Sequence, residues 1–202
     1  MAIKLEKQGD SHKINLTKSN NSQSLIVHVN FDWEELQKKS SGLLGGLFGS
    51  EKQAADLDLG CMYEMANGTK GVIQPLGGNF GSKTSSPYIF LDKDDRTGET
   101  AGENMYIFRT DLIKRVMFFG FIYEGAPDFK SVKGRMLFKV SNGEEVYLEL
   151  NNPDSNRSFC AAALIKNVDS QVAIVKEEKY FTGHQEADKY YQFGFNWTSG
   201  SK

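Results

Sequence analysis

Along this chain, apolar residues recur at every second position far more often than at every third or fourth. Residues 25–33 (LIVHVNFDW) set Leu25, Val27, Val29 and Phe31 on one face and Ile26, His28 and Asn30 on the other. That is the period of a half-buried strand. Met136, Phe138 and Val140 alternate before Asn142-Gly143, and Val146, Leu148 and Leu150 alternate after it. Asn-Gly between two such runs predicts a hairpin with both turn residues at positive φ. Residues 159–168 and 172–181 predict a second hairpin around Asp169-Ser170, and residues 192–197 (QFGFNW) a last strand. Shorter strands are expected near 13–16, 60–65, 70–74, 88–91 and 104–108. Residues 115–124 (RVMFFGFIYE) are apolar on both faces, which fits a central strand covered on both sides.

Helix is confined to short pieces. These are 110–114, with Thr110 or Asp111 as N-cap, 32–39, whose WEELQKK is helix-prone, and 184–190. Many short strands with regular turns predict an all-β protein, an antiparallel β-sandwich with a few short helices. No internal repeat and no Pro/Ser-rich linker divides the chain, so 1–202 reads as a single domain. Residues 40–53 (SSGLLGGLFGSEKQ) are the one low-complexity stretch and predict a flexible insertion loop.

Charge narrows the function classes. Lys and Arg number 24 against 26 Asp and Glu, a formal net charge of −2. That balance argues against nucleic acid as a partner, since its binding needs a basic excess or stripe. No apolar h-region opens the chain, and no apolar run approaches the ~20 residues of a membrane helix, so neither a signal peptide nor a transmembrane segment is expected and the cytosol is the default location. Cys61 and Cys160 lie in separate apolar stretches. They read as two buried thiols in a reducing compartment, with a single bridge as the alternative.

The acidic residues are not evenly spread. Residues 92–103 (DKDDRTGETAGE) hold Asp92, Asp94, Asp95, Glu99 and Glu103, with two glycines, and Asn104 follows. Like charges crowded in a loop repel, and a hard divalent cation with 6–8 oxygen ligands neutralises them. Counted from Asp92 the spacing approaches an EF-hand loop. Arg96 and Thr97 occupy the positions where Asp or Asn and Gly are needed, and no flanking helices are predicted, so the EF-hand is rejected and a cation loop kept. Asp56-Leu57-Asp58 opens a strand that would put both carboxylates on one face and Leu57 in the core. The two segments together could hold Ca²⁺; the alternative is two unrelated solvated acidic turns.

Asp56-Leu57-Asp58, followed some forty residues later by Asp94-Asp95-Arg96-Thr97-Gly98-Glu99, resembles the signature of the TerD family of tellurium-resistance and stress-response proteins, DLD and then GDN-x-TGEGDGDDE. The segments LDLGCMYE, KGVIQPLG, PYIFLDKDDRTGE, FIYEGAP and YFTGHQEADKYY are most similar to its TerA-like branch, and KINLTK and VHVNFDW are similar to its early strands. The likeness covers nearly the whole chain apart from 40–53. It implies a β-sandwich that binds calcium between loops and works without catalysis in a bacterial cytoplasmic stress system. The implied setting is peripheral to the inner membrane face, with other tellurium-resistance and stress proteins, or a membrane-bound complex of them, as partners. By this resemblance Asp56 and Asp58 match DLD, Asp94 and Asp95 match the DN pair, Thr97, Gly98 and Glu99 match TGE, and Glu103 and Asn104 fall on the following acid pair. Thr100-Ala101 replaces Gly-Asp and Met105 replaces Glu, which removes two carboxylates and implies fewer or weaker calcium sites. Asp32 and Glu124 are further outer candidates.

Other chemistry is thinner. The three histidines, His12, His28 and His184, have no metal spacing. His184-x-Glu186-x-Asp188 reads as a small polar site or a capped short helix. GGNFGSK (77–83) lacks the order of a phosphate loop. Thiols in apolar strands are poor reductants of tellurite. Trp33, Tyr63, Phe80 and Tyr88 could stand beside the acidic cluster, as in a calcium-dependent carbohydrate- or lipid-headgroup-binding module, which is the alternative function; core packing is the simpler role for them.

Overall fold

The computed structural model describes residues 2–15, 24–34, 36–37, 52–53, 55–92, 102–168 and 171–198. In chain order their strands are β1 (Ile3–Lys4), β2 (Ser11–Asn15), β3 (Val27–Asp32), β4 (Leu36–Gln37), β5 (Lys52–Gln53), β6 (Asp56–Met65), β7 (Lys70–Ile73), β8 (Ile89–Leu91), β9 (Glu103–Ile107), β10 (Ile113–Glu124), β11 (Arg135–Val140), β12 (Glu145–Glu149), β13 (Phe159–Val168) and β14 (Gln171–Phe181), followed by one helix, α1 (His184–Tyr191). Two six-stranded sheets pack as a sandwich. The first runs β1-β12-β11-β3-β9-β8 and the second β2-β14-β13-β10-β6-β7, while β4 and β5 pair as a separate ribbon. Neighbours are antiparallel except β1, which joins β12 in parallel.

The alternating strands built the first sheet. On β3, Val27, Val29 and Phe31 are buried while His28, Asn30 and Asp32 are partly exposed, so one face meets the core and the other water. The second sheet is covered on both faces. Val116, Phe118 and Ile122 of β10 enter the core between the sheets, where Phe118 meets Phe138 edge-on at 5.5 Å. Met117 and Phe119 point the other way, into a second cluster with Phe159, Phe181, Ala187, Tyr191 and Phe193. The doubly apolar run thus lies where its pattern demands, at the middle of a sheet with a layer on either side. Gly60 of β6 makes room for that outer layer, since a Cβ there would fall 2.1 Å from the Phe119 ring.

Four expectations are corrected. Residues 192–197 do not form a strand. Their donors go to one buried carboxylate instead: Asp188 accepts from Gly194 N at 2.8 Å, Phe195 N at 2.9 Å and Trp197 Nε1 at 2.9 Å. This pins the segment across the outer face of the second sheet. Residues 32–39 are not helical where they are described. Asp32 ends β3 in the grip of Arg135, Glu34 N donates to Val132 O at 2.7 Å, and Leu36–Gln37 pairs with Lys52–Gln53, so cross-strand bonds override local propensity. Only Thr110–Leu112 is helical near 110–114, as a single 3-10 turn whose N-cap is Arg109, with no side-chain cap. In the Asn142-Gly143 turn only Gly143 has positive φ, at +92°; the Asn142 side chain accepts Glu144 N at 3.0 Å instead. The insertion at 40–53 lies outside the described residues except for β5, and the Asp169-Ser170 turn lies outside them too, although Val168 pairs with Gln171 as a hairpin requires.

One polar group holds the layers together. Lys176 of β14 is buried at 2% exposure. Its Nζ donates to Glu6 O at 3.0 Å and Glu149 O at 3.2 Å and lies 2.8 Å from Glu178 Oε2. The first carbonyl belongs to the N-terminal segment, the second to the first sheet and the carboxylate to the second sheet. Lys176→Met keeps the stem and removes the charge, leaving the Glu178 carboxylate without its cation. Breaking a buried pair this way costs about 3–5 kcal/mol, and urea denaturation of the variant should show a loss of that size.

Candidate functional site

The acidic opening of β6 is fixed from two sides. Trp33 Nε1 donates to Ala55 O at 2.9 Å, tying the residue before β6 to the end of β3. Across β10, Asp58 faces Phe121 and Asp56 faces Glu124. Leu57 enters the core between the sheets, and alternation puts Asp56 and Asp58 together on the other face. Both acids are buried, at 5% and 1% exposure.

A third acid arrives from the opposite sheet. β7 pairs with β6 only over Cys61 to Glu64, so among the described residues the edge of β6 before Cys61 has no strand beside it. Glu103, the first residue of β9 and wholly buried, fills the gap: Leu59 N donates to Glu103 Oε2 at 2.6 Å. A backbone donor that the ladder leaves over is thereby satisfied by a carboxylate, a charge-assisted bond of the stronger kind. Asp92 N donates to Asn104 O at 2.8 Å, which closes the root of the segment 93–101. Gly102 makes that closure possible, because its φ is +70° and a Cβ would lie 2.0 Å from Phe31 O.

The structure therefore brings Asp56, Asp58 and Glu103 to one end of the sandwich, beside the root of the acidic segment. Asn104 faces away from them. Its Oδ1 is hydrogen-bonded by His28 Nε2 at 2.8 Å and Asn30 Nδ2 at 3.1 Å on the outer surface of the first sheet, where His28 also stacks on Tyr106 at 4.6 Å. Asp94, Asp95, Thr97, Gly98 and Glu99 lie outside the described residues. Asp32 is committed to Arg135, and Glu124 is exposed at the end of β10. Among the described residues no three His, Cys, Asp or Glu side chains converge closely enough to hold a metal ion. Asp56, Asp58 and Glu103 offer oxygen alone, the donor set of a hard cation, and would need further oxygens to complete a shell. Sequence reasoning set Trp33 beside the acidic cluster but missed its bond to Ala55 O and the Asp92–Asn104 closure. Gly102 was legible only as a glycine among acids.

The remaining candidates separate into structural roles. Glu186 accepts Thr182 N and Oγ1, both at 2.8 Å, at the start of α1, and Asp188 anchors the chain after it. His184 sits among Phe119, Phe121, Phe159 and Trp197, with ring centroids 4.9–5.3 Å away. Burial lowers its pKa to about 4, so the ring is neutral near pH 7. Cys61 and Cys160 are free and buried, and burial pushes both thiols above their usual range. Residues 77–83 make turns between β7 and β8, with Gln74 bridged to Asn79 and Gly81 to Phe90. No helix among the described residues is long and apolar enough to cross a membrane.

Comparison with known proteins places the chain. No family model matches it, and no solved structure does. Over 200 residues it is 36% identical to the tellurium resistance protein TerA of Alcaligenes sp, an alignment covering 94% of this chain and 58% of that protein. The chain thus spans a little over half the length of this relative.

Glu103→Leu would keep the volume of the buried side chain but strand the Leu59 N–H, at a cost of about 1–3 kcal/mol. The Leu59 amide should lose its protection in hydrogen exchange while amides in the middle of β10 keep theirs relative to global stability. His184 gives a second expectation. Its folded pKa lies below the unfolded value, so the unfolded chain binds the extra proton between them, and stability falls as pH drops from 6.5 toward about 4. His184→Gln should flatten that part of the pH–stability curve, measured by chemical denaturation at each pH.

Proposed function

The chain is a homologue of the tellurium resistance protein TerA along nearly its whole length, and on that premise we propose that it is a non-enzymatic, calcium-binding component of a tellurium-resistance and stress-response system. Its role in this reading is that of a binding or scaffold module, with other tellurium-resistance and stress proteins as partners, in the cytoplasm and peripherally at the inner membrane face. One observation carries the calcium part. Asp56 and Asp58 from the second sheet and Glu103 from the first are buried at the same end of the sandwich, where the segment holding Asp94, Asp95 and Glu99 departs and returns.

The chemistry of these donors supports calcium over softer metals. All three are carboxylates, and the residues the resemblance adds, Asp94, Asp95, Thr97, Gly98 and Glu99, bring only carboxylate, hydroxyl and carbonyl oxygens. Calcium accepts such a mixed oxygen shell of flexible geometry, whereas zinc and copper favour nitrogen and sulfur. Neutralising the acids would tie the 93–101 segment to the sandwich and order a surface that a partner can read. The chain's own contribution is to fix the root of that surface through Gly102, the Asp92–Asn104 bond and the Leu59–Glu103 bond.

A ligand present at ~100 times its Kd adds about 2.7 kcal/mol to the stability of the state that binds it. For a domain of this size that raises the melting temperature by roughly 5–10 °C. We expect such a rise on adding calcium chloride to chelator-treated protein, with a matching calorimetric titration, and expect both to vanish in the Asp56→Asn/Asp58→Asn double variant. Identical melts in calcium and in chelator would refute the calcium reading. The homology to TerA would stand regardless.

A further inference from the structure

The outer face of the second sheet carries a feature that the calcium reading does not use. Beside α1 a cleft of about 480 Å³ is bordered by Gln74, His184, Gln185, Glu186, Trp197 and Thr198. A second hollow of about 460 Å³ shares Gln185 and Trp197 with it, so the indole borders both. That indole is held rigidly. Its Nε1 is bound to Asp188 at 2.9 Å, and it packs at 5.2 Å on the His184 ring and at 5.8 Å, edge-on, on Phe195. Two polar atoms of the first cleft's border, Gln74 Oε1 and His184 Nε2, are buried with no hydrogen-bond partner among the described residues. A buried polar atom left unbonded is destabilising, and a ligand hydroxyl would relieve that penalty.

The lining selects the ligand class. Among the described residues Glu186 is the one charged side chain of the cleft, and it repels anions; its carboxylate is already engaged by Thr182 and lies 3.5 Å from Arg157, which leaves little pull for a cation. His184 is neutral near pH 7, because burial holds its pKa near 4. The remaining side chains are two carboxamides, the hydroxyls of Thr182 and Thr198, Leu76 and an aromatic face. Carboxamides and hydroxyls both give and accept hydrogen bonds, and a pre-set aromatic face suits a ring with apolar C–H bonds on one side. Among the described residues no Phe, Tyr or second Trp borders the cleft, so it lacks the aromatic sandwich that grips a nucleobase. We propose that this cleft binds a neutral sugar ring, stacked on Trp197 and hydrogen-bonded by Gln74, Gln185 and the His184 imidazole. The site does not depend on the calcium reading.

Two tryptophans make the test direct, since Trp33 is buried at 3% exposure and Trp197 borders the cleft. The indole N–H signals of ¹⁵N-labelled protein would be followed during titration with methyl β-D-glucopyranoside, methyl β-D-galactopyranoside and N-acetylglucosamine, first in chelator and then in calcium chloride. At ordinary ligand efficiency a monosaccharide binds with a Kd on the order of 1 mM. At least one of these sugars should therefore shift the Trp197 signal saturably, in either buffer, and leave Trp33 still. Gln74→Leu, a change at the rim that leaves Asp188 and the core in place, should weaken binding roughly fivefold, with an otherwise unchanged spectrum. The proposal is overturned if no sugar moves Trp197 up to about 50 mM, if adenosine or inorganic phosphate moves it and the sugars do not, or if Gln74→Leu binds as tightly as the parent chain.

Discussion

β10 carries Val116, Phe118 and Ile122 toward one side and Met117 and Phe119 toward the other, so neither face can be left to water, and the layers above and below it follow from that demand. A half-buried sheet needs one cover. This strand needs two, and the chain supplies them from different sources. The first sheet closes one side with alternating strands that keep their own outer surface polar. The other side is closed by α1 and by an extended segment that makes no ladder of its own. Asp188 answers for that segment's donors. A double-sided strand at the centre of one sheet thus accounts for the helix, for the irregular C-terminal stretch and for Gly60, which gives up its side chain to the Phe119 ring.

The ends of the sandwich raise a different difficulty, because strands of unequal length leave donors over. At the acidic end β7 stops short of the opening of β6, and Glu103 reaches across from the other sheet to take up Leu59 N–H. Near β1 and β12, Lys176 gathers two carbonyls and a carboxylate from three parts of the chain. Both are charged groups buried in a largely apolar body, and both sit where backbone bonding alone would leave gaps. Each ties the two sheets together through hydrogen bonds of defined geometry, which apolar contacts alone do not supply.

Much of this was legible from the residues. Alternation at 25–33 and 136–150 marked strands with one wet face, and the unbroken apolar run at 115–124 marked the centre of the covered sheet. The failures share a cause. Local preference at 32–39 and 192–197 points to helix and strand, whereas the conformation there is set by partners distant in sequence or by a single side chain: Arg135 and Val132 for the first, Asp188 for the second. The Asn142-Gly143 turn was placed correctly but in the wrong form, since the Asn side chain supplies a bond that a second left-handed residue would otherwise replace. For the candidate site, spacing showed that Asp56 and Asp58 share a face. It could not show that Glu103 turns inward while Asn104, its neighbour, turns outward to His28, because the inward or outward sense of a strand depends on which sheet lies behind it.

The grip of Asp188 also decides how the molecule comes apart. Local opening that reaches Trp197 must stop there or go much further. The next step gives up three hydrogen bonds to one carboxylate and uncovers an aromatic cluster that includes Phe119 and Phe159. The closing stretch of the chain is therefore a cooperative unit whose opening is coupled to the stability of the sheet beneath it. Without Phe193, Phe195 and Trp197 the outer cluster would lose one wall and bare part of the central sheet as a sticky surface, a route to self-association that this segment keeps shut.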